Sequence, residues 1–494
     1  MELIKILFFP FKMIPLLLAF LFRKELLSRS EGASLAKPSD YRDRLNSRNT
    51  GLLLDGESLK LAERESFQNV CVVARVGAGK TSRYIIPNVL ERAKCPCSVV
   101  VNDPKGEVYE ATSGYMRANG FRVIVIDPEN LDRSHTFNPL TEAKNDIELD
   151  QIAEILIKAG KQGGNQSSGN GDFWASGAIR FVSVFLACLR NAGRENPAYN
   201  TLANLYYLFQ NFGEDGSKLD GFMARYSIDP DDPRDTRLWN EWQGVLTGNK
   251  EGVQSFVLNG ITALSAMRQA HIAKVTAESS FSLDTFRDEK TVVYFITPPQ
   301  HQEYYSFLTS LFFRSVFNAC MRKTPTKKTL PVYVLYDEFG HSTIPNFVST
   351  ANTIRGYRVS LSIVLQSIAQ LNARYGRDYA QSIQGGFNTA LAYAGSDPET
   401  ASFFERIIGK TRVSQWTSFD STMEHYREQN LLNANEIRTM HDTEVLIVSG
   451  NQNPILIPSK AYFQVGWMNR ATKKPPAPLD SARVRPLVYI PLNI

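Results

Sequence analysis

The stretch Ala74-Arg75-Val76-Gly77-Ala78-Gly79-Lys80-Thr81 lies between an apolar run at 70–73 and a helix-like segment at 82–90. Small residues followed by Lys and Thr are typical of a loop whose backbone N–H groups surround a phosphate, with the lysine on the β/γ oxygens and the hydroxyl on Mg²⁺. Ala74 stands where the G-x-x-x-x-G-K-[ST] pattern has its first glycine, but the flanking strand and helix favour a nucleotide site over a chance glycine turn. The residues predicted to contact ATP or GTP are Gly77, Ala78, Gly79, Lys80, Thr81 and Ser82.

A pair of acids is expected to complete the site from a distant part of the chain. The apolar, β-rich run at 331–336 ends in Asp337 and Glu338, so both acids would emerge at the carboxyl edge of a buried strand. We predict that Asp337 and Thr81 hold Mg²⁺ and that Glu338 orients or deprotonates the attacking water. Alone, such a pair is an ordinary solvated strand end; together with the loop at Lys80 it indicates nucleotide hydrolysis.

Further strand-like runs alternate with helix-like segments. They lie at 98–102, 121–126, 290–297 and 359–365, and a helix is predicted at about 302–322. The run at 359–365 ends at Gln366, whose side chain is placed to sense a γ-phosphate. This pattern predicts an α/β fold with a mostly parallel central sheet and a site along its carboxyl edge.

The segment from about 141 to 288 interrupts that alternation with helical patterning only. Helices are predicted at 148–159, 173–190, 201–210 and 252–271, which indicates an inserted all-α domain. A polar, glycine-rich stretch at 160–171 has the composition of a mobile loop. Residues 30–140 and 289–470 would then form the two parts of the nucleotide-binding domain, and 471–494 a tail that begins with a short proline-rich linker.

Composition permits several partners without selecting one. The chain has 494 residues, a 43% hydrophobic fraction and a net charge of +5, so DNA binding has to be argued from local patches such as 322–323 and 327–328. For that cluster, a solvated loop is favoured over a DNA contact. The five cysteines lie mostly in apolar runs and are expected to be reduced, in a cytoplasmic domain.

The first 29 residues are expected to associate with a membrane. Lys5 and Lys12 interrupt the apolar run, Pro10 and Pro15 would kink a helix, and the longest charge-free part, 13–22, is shorter than the about 20 residues of a secure span. The segment either crosses once or lies along the inner leaflet. The basic residues at 23–29 favour a cytoplasmic location for the rest of the chain.

A series of short motifs occurs in one order between Gly51 and Phe463. The motifs are Asp103-Pro104-Lys105-Gly106-Glu107, Phe137-Asn138-Pro139-Leu140, Asp172-Phe173-Trp174, Asp337-Glu338-Phe339-Gly340, Gln366-Ser367 and Gly395-Ser396-Asp397. In this order the chain resembles the coupling-protein ATPases of bacterial conjugation and type IV secretion, the TraG-like family of RecA-type motor proteins. Only one apolar amino-terminal segment is present where this family typically has two spans with a small periplasmic loop.

The resemblance implies a RecA-like P-loop fold and a ring-forming, usually hexameric ATPase at the cytoplasmic face of the bacterial inner membrane. Such a protein receives a relaxase–DNA complex or effector proteins and passes them to the secretion channel. Gln366 matches the family's polar sensor, and Arg355 is a candidate arginine acting across the ring interface, with a surface arginine as the other interpretation. Asp103 and Lys105 match a motif of the family, and two interpretations of it stay open. It makes a contact with the nucleotide or with another subunit, or it forms a structural turn.

Two functions stay open on the sequence. One is a motor that hydrolyses ATP to move DNA or protein substrates. The other is a nucleotide-controlled docking receptor for secreted proteins with little DNA-translocating activity, which the substitution at Ala74 leaves room for. A chromosome-pumping ATPase of the same superfamily is a more distant alternative, which the helical insert disfavours.

Overall fold

A nine-stranded sheet forms the centre of the protein. The computed structural model describes residues 32–159, 170–229, 231–248, 250–415, 425–479 and 486–492. The strands are β1 (Val70–Val73), β2 (Ser98–Asn102), β3 (Arg122–Ile126), β4 (Thr291–Phe295), β5 (Val332–Tyr336), β6 (Val359–Leu365), β7 (Thr389–Tyr393), β8 (Lys410–Gln415), β9 (His425–Asn430), β10 (Glu444–Ser449) and β11 (Ile455–Pro458). The sheet order is β11-β10-β7-β1-β6-β5-β2-β4-β3, while β8 and β9 form a separate antiparallel pair.

The strands from β7 to β3 in that order are all parallel, and β10 and β11 add an antiparallel edge. β1 lies inside the sheet, with Val73 paired to Leu365 of β6 on one side and to Ala392 of β7 on the other. The strand runs recognised in the sequence are β-branched and apolar because a parallel sheet is covered on both faces. The predicted fold class, α/β with a mostly parallel sheet and an all-α insert, is confirmed.

Helices cover both faces of the sheet and form the insert. They are α1 (Pro38–Tyr41), α2 (Glu63–Ser66), α3 (Ile86–Arg92), α4 (Glu107–Ala118), α5 (Pro139–Glu142), α6 (Asp146–Ala159), α7 (Asn170–Glu195), α8 (Leu202–Gln210), α9 (Asp220–Tyr226), α10 (Arg237–Leu246), α11 (Lys250–Ala263), α12 (Ala270–Val275), α13 (Ser306–Met321), α14 (Phe347–Ile354), α15 (Ile368–Tyr375), α16 (Arg377–Gly385), α17 (Pro398–Ile408), α18 (Ala434–Arg438) and α19 (Gly466–Ala471). A π-helical turn, Thr81–Ile85, precedes α3.

Two apolar cores follow from the alternation of side chains along β1. Val70 and Val72 point into one core, on the side of α3 and α4, whereas Cys71 and Val73 belong to the other, which continues into the helical insert. The insert contributes its own aromatic centre, in which Phe181 and Phe185 pack around the fully buried Trp242. The insert therefore has a core of its own that is continuous with one face of the sheet.

The chain of the insert leaves the sheet after β3 and returns at β4, which is the neighbouring strand. Within it, the single helix predicted at 252–271 is wrong: α11 ends at Ala263, a 3₁₀ turn covers Ser265–Arg268, and α12 follows after the extended residue Gln269. The apolar spacing continues across this break because Leu264 and Met267 are both buried in the core. Periodicity alone does not reveal such a break.

One helix among the described residues, Phe173–Glu195, is long and apolar enough to cross a membrane by length and composition. Half of that window is buried inside the protein, and the helix packs against α6 and α11 as the central helix of the insert. The membrane-associating segment predicted at 1–29 lies outside the described residues. So does the loop predicted at 160–171, apart from Asn170 and Gly171, which begin α7.

Candidate functional site

The phosphate-loop candidate connects the carboxyl end of β1 to the π-helical turn. Its positive φ angles belong to Gly77 (83°) and Gly79 (85°), which is the conformation that glycine adopts without strain. Ala74 is fully buried, and its N–H donates to the Leu365 carbonyl of β6 at 3.0 Å. This position continues the strand pairing, so the loop forms without the first glycine of the pattern.

The hydroxyl-bearing residues that follow the loop begin the helix. Thr81 is the first residue of the π-helical turn and is half-buried. Ser82 Oγ donates to the Gly79 carbonyl at 3.1 Å, so this side chain fixes the loop backbone. Ser82 thus has a contact inside the loop, and the hydroxyl of Thr81 stays the predicted Mg²⁺ ligand.

Three side chains from three adjacent strands meet at the carboxyl edge of the sheet. Lys80 Nζ lies 2.7 Å from Glu338 Oε1, and Gln366 Nε2 donates to Glu338 Oε2 at 2.7 Å. Lys80 follows β1, Gln366 follows β6 and Glu338 follows β5, in the sheet order β1-β6-β5. The lysine is only 7% exposed, so its ammonium group is neutralised here by a carboxylate in a poorly hydrated setting.

The backbone of Glu338 adopts an unusual conformation that directs its side chain into the site. Its φ of 55° is left-handed, a region that costs free energy for a residue with a side chain and that clusters at functional sites. Burial would raise the pKa of this carboxyl, but a hydrogen bond from His341, the charge of Lys80 and the amide of Gln366 outweigh burial and lower the pKa to about 2. Glu338 is therefore fully ionised at neutral pH.

His341 and Gln370 extend this network, and the sequence did not assign them a role. His341 Nε2 lies 3.5 Å from Glu338 Oε2 and 3.1 Å from Gln370 Nε2. The signal that was available is spacing: His341 stands three residues after Glu338 in the 3₁₀ turn Phe339–His341, which brings both side chains to one side.

Asp337 is buried beside this network with little compensating charge. It is 6% exposed, and burial raises the pKa of its carboxyl to about 7, although the charge of Lys80 acts in the opposite direction. Asn102, at the end of β2, donates from Nδ2 to the Asp337 carbonyl at 2.6 Å. The carboxylate of Asp337 and the hydroxyl of Thr81 are oxygen donors of the kind that Mg²⁺ takes, so these residue types fit that ion.

The motif at Asp103 holds the backbone at the start of α4. Asp103 Oδ2 accepts from the Tyr109 N–H at 2.8 Å and so holds the start of α4, while Gly106 takes a φ of 72° just before that helix. Burial raises the pKa of Asp103 to about 7 as well. Lys105 is exposed at the same turn. Of the two interpretations, the geometry of Asp103 favours a structural turn.

Arg355 is the predicted site residue that the structure does not bring to this cluster. It is exposed in the 3₁₀ turn Arg355–Tyr357, before the amino end of β6, whereas Gln366 follows the carboxyl end of the same strand. The two ends of β6 lie on opposite edges of the sheet, so within one subunit Arg355 is remote from Lys80. Its action across a ring interface stays a prediction.

The basic patch suggested for DNA divides into two parts. Arg322 is engaged with the insert, since it donates to Glu148 Oε2 and Asp284 Oδ1 at 2.8 Å each and also bonds the Glu142 carbonyl. Its side chain is 17% exposed and acts in packing α13 against the insert. Lys323 and the pair at 327–328 are exposed in the loop before β5.

The arrangement as a whole has the parts required for phosphoryl transfer to water. A loop of backbone N–H groups precedes a lysine, an ionised glutamate stands against that lysine, a glutamine reaches the glutamate, and a buried aspartate and a threonine hydroxyl can hold a divalent cation. The structure brings Lys80, Glu338 and Gln366 into contact and leaves Arg355 apart from them, while the roles of the predicted site residues stay predictions.

Comparison with known proteins identifies the family of the chain. Residues 36–482 match the family described as type IV secretory system conjugative DNA transfer. The chain is 26% identical over 427 residues to Protein VirD4 of Rhizobium rhizogenes, covering 81% of this chain and 59% of that protein. It is 22% identical over 404 residues to the conjugal transfer protein TraG of Rhizobium radiobacter, covering 77% and 60%. The chain thus spans about 60% of the length of these curated relatives.

Solved structures agree on the fold. The bacterial conjugative coupling protein TrwB lacking 70 residues, in complex with sulphate, superposes with a TM-score of 0.68 at 15% identity, covering 87% of this chain and 94% of that one. TrwB in complex with ADP and Mg²⁺ superposes with a TM-score of 0.63 at 14% identity, covering 87% of this chain and 94% of that one. The architecture is therefore that of a RecA-like P-loop protein, and the chain belongs to the family of type IV secretory system proteins for conjugative DNA transfer.

Proposed function

We propose that this chain is a membrane-associated ATPase that couples DNA–relaxase or effector substrates to a type IV secretion or conjugation channel and powers their transfer by ATP hydrolysis. The observation that carries the proposal is the contact of Lys80 and Gln366 with Glu338 at the carboxyl edge of three adjacent strands. Membership of the conjugative DNA transfer family supports the substrate class. TrwB, solved with ADP and Mg²⁺ and with a non-hydrolysable ATP analogue, supports the cofactors ATP and Mg²⁺.

The residues divide the reaction between them. The loop at 77–81 binds the phosphates through backbone N–H groups and Lys80, while Thr81 and Asp337 would hold Mg²⁺, which would supply positive charge against the phosphates. Glu338 is ionised and orients or deprotonates the attacking water. Gln366 donates to Glu338 and directly follows β6, so a change at the γ-phosphate can be transmitted to that strand through this hydrogen bond.

Lys80 and Glu338 are in direct contact, which bears on how a nucleotide would bind. In this contact the lysine that should meet the phosphates is held by the residue that should activate water. Binding of a nucleotide must transfer the ammonium group from the carboxylate to the phosphate oxygens, which at the same time frees Glu338 for water. Nucleotide binding and activation of the base are thereby linked in one exchange of partners.

Assembly and location are further parts of the proposal. We place the protein at the cytoplasmic face of the bacterial inner membrane, as a homo-hexamer whose neighbouring subunit supplies Arg355 to the transferring phosphoryl group. The exposure of Arg355 in the turn before β6 leaves its guanidinium accessible to another subunit. DNA, channel components and the substrate proteins are the proposed partners.

The test is the ATPase rate of the purified chain of residues 1–494, with and without single- and double-stranded DNA. Lys80→Ala and Glu338→Gln are expected to abolish turnover, while Lys328→Ala, which removes an exposed lysine of the loop before β5, is the matched control and should keep it. Stimulation by DNA supports the motor. Turnover that is absent or indifferent to DNA, with nucleotide still bound, would replace the motor with a nucleotide-controlled docking receptor for secreted proteins.

A further inference from the structure

The carboxyl-terminal part of the chain follows two surfaces in succession. After α19 it runs along α4, where the Ala477 N–H donates to Ser113 Oγ at 3.0 Å and Tyr109 Oη donates to the Ala477 carbonyl at 2.8 Å. Residues 486–492 then lie on the helical insert, against α8. The tail thus joins the nucleotide-binding part of the molecule to the insert.

Asn204 of α8 holds this terminal segment by its main chain. Its Nδ2 donates to the Val488 carbonyl at 3.0 Å, and its Oδ1 accepts from the Ile490 N–H at 3.0 Å. A carbonyl and an N–H two residues apart are the groups that a neighbouring parallel strand would pair with, so one side-chain amide substitutes for a strand. Asn204 is 1% exposed, and Thr201 Oγ1 lies 3.2 Å from its Nδ2 and fixes its position.

The side chains of residues 489–492 alternate between two environments, as in a strand, whereas Val488 is exposed. Ile490 is 1% exposed and belongs to the apolar core of the insert, with Leu492 partly buried against the same core. Tyr489 turns the other way, where its ring lies 5.1 Å from that of Tyr207, and stays half-exposed. Recognition therefore rests on main-chain pairing, aliphatic anchors at alternate positions and one aromatic contact.

A cavity of about 480 Å³ continues from this contact along the insert. Its walls include Pro197 and Ala198 before α8, the loop at 277–282, and the first residues of the segment itself, 486–488. The segment covers part of a longer groove and leaves the rest open. A longer extended peptide has room in this groove that the tail does not use.

From these contacts we propose that the surface around Asn204, Tyr207 and this cavity, which we name the Asn204 groove, docks an extended apolar peptide segment of a partner protein. Residues 486–492 occupy the groove in the absence of that partner. Two main-chain hydrogen bonds do not depend on the sequence bound, so a foreign segment with aliphatic residues at the places of Ile490 and Leu492 fits as the tail does. The proposal does not depend on the activity of the nucleotide site.

The experiment measures fluorescence anisotropy of a labelled, capped peptide with the sequence of 486–492. The chain of residues 1–494 is compared with a chain that ends at Leu479. The shortened chain should bind the peptide, and the full chain should bind at least about tenfold more weakly because its own segment competes. In the shortened chain, Asn204→Leu should weaken binding about 30-fold through the loss of two hydrogen bonds, with Tyr207→Ala as a second variant that weakens it.

Asn211→Ala, at the end of the same helix, is the matched control and should leave peptide binding unchanged, since Asn211 Nδ2 bonds the Tyr207 carbonyl and not the tail. A second labelled peptide keeps the aliphatic and aromatic residues and changes all the remaining ones. An affinity within about tenfold of that of the first peptide supports docking of foreign segments. The proposal is overturned if a folded shortened chain binds neither peptide, if both chains bind equally, or if only the tail's own sequence binds.

Discussion

Replacing Glu338 by Gln should separate nucleotide binding from hydrolysis. Lys80 Nζ is bonded to Glu338 Oε1 at 2.7 Å, and a nucleotide must break this contact before the lysine can reach its phosphates. The glutamine keeps the shape and one acceptor oxygen but removes the charge. We therefore expect tighter binding of nucleotide together with the loss of hydrolysis.

The size of the effect follows from the contact. A hydrogen bond to a charged group contributes about 1.5–3 kcal/mol, and both partners are poorly exposed, the lysine side chain at 8% and the glutamate at 17%. Without the charge, a nucleotide no longer has to offset most of this hydrogen-bond free energy when it binds. The affinity for the nucleotide should therefore be higher by about tenfold to 100-fold. The nucleotide-free protein should lose stability by a similar amount.

The assay is the affinity for a fluorescent ATP analogue and for the corresponding ADP analogue, each with Mg²⁺, measured by titration. The gain is expected for both nucleotides because both need Lys80, whereas relief of repulsion from the γ-phosphate alone would favour ATP only. Glu57→Gln is the matched control, since it breaks a pair of equal type, Lys460 to Glu57 at 2.8 Å, on the surface. Unchanged or weaker affinity of Glu338→Gln for both nucleotides would refute the Lys80–Glu338 contact as a barrier to binding.

Three further changes test other parts of the structure. Asp337→Asn should stabilise the nucleotide-free protein above pH 7 by on the order of 4 kcal/mol and have no effect below pH 4. The reason is that folding raises the pKa of this carboxyl from 3.8 to about 7, so the folded protein is destabilised as the pH rises between these values. Urea unfolding across this pH range measures the effect, and added Mg²⁺–nucleotide should stabilise only the unmodified chain. Arg322→Leu should cost about 3 kcal/mol in the same assay because it leaves Glu148 without its ion pair, whereas the exposed Lys323→Ala should cost nothing measurable; equal effects would contradict the role of Arg322. Gly114→Ala should detach the tail from α4, since an added Cβ would lie 2.0 Å from the Pro475 carbonyl oxygen; hydrogen exchange should rise at 473–479, and unchanged protection would contradict the contact.

Local patterns were sufficient for the main elements of the site. The loop at 74–81, the acids after β5 and Gln366 after β6 were predicted because each follows a strand with a strong apolar run, and parallel strands share one carboxyl edge. The order of the strands in the sheet was not predictable in this way. It depends on which apolar faces pair, and every interior strand carries nearly the same pattern.

Contacts between distant parts of the chain were beyond sequence reasoning for the same reason. The pairing of Lys80 with Glu338 depends on the left-handed backbone of Glu338, which the sequence pattern around it does not predict. The docking of Ile490 on Asn204 joins residues far apart in sequence, and the tail had been expected only as a proline-rich linker and short end. The break after Ala263 was missed because buried residues continue through it.

The place at which the insert joins the sheet has a consequence for how such proteins diversify. The chain departs after β3 and comes back to β4, its immediate neighbour, at the edge of the sheet farthest from β10 and β11. Since the entropy of closing a loop grows only slowly with its length, a whole helical module can be lengthened, shortened or exchanged between these two strands at small cost to the fold. The helical insert can thereby vary while the residues around Lys80 stay in place.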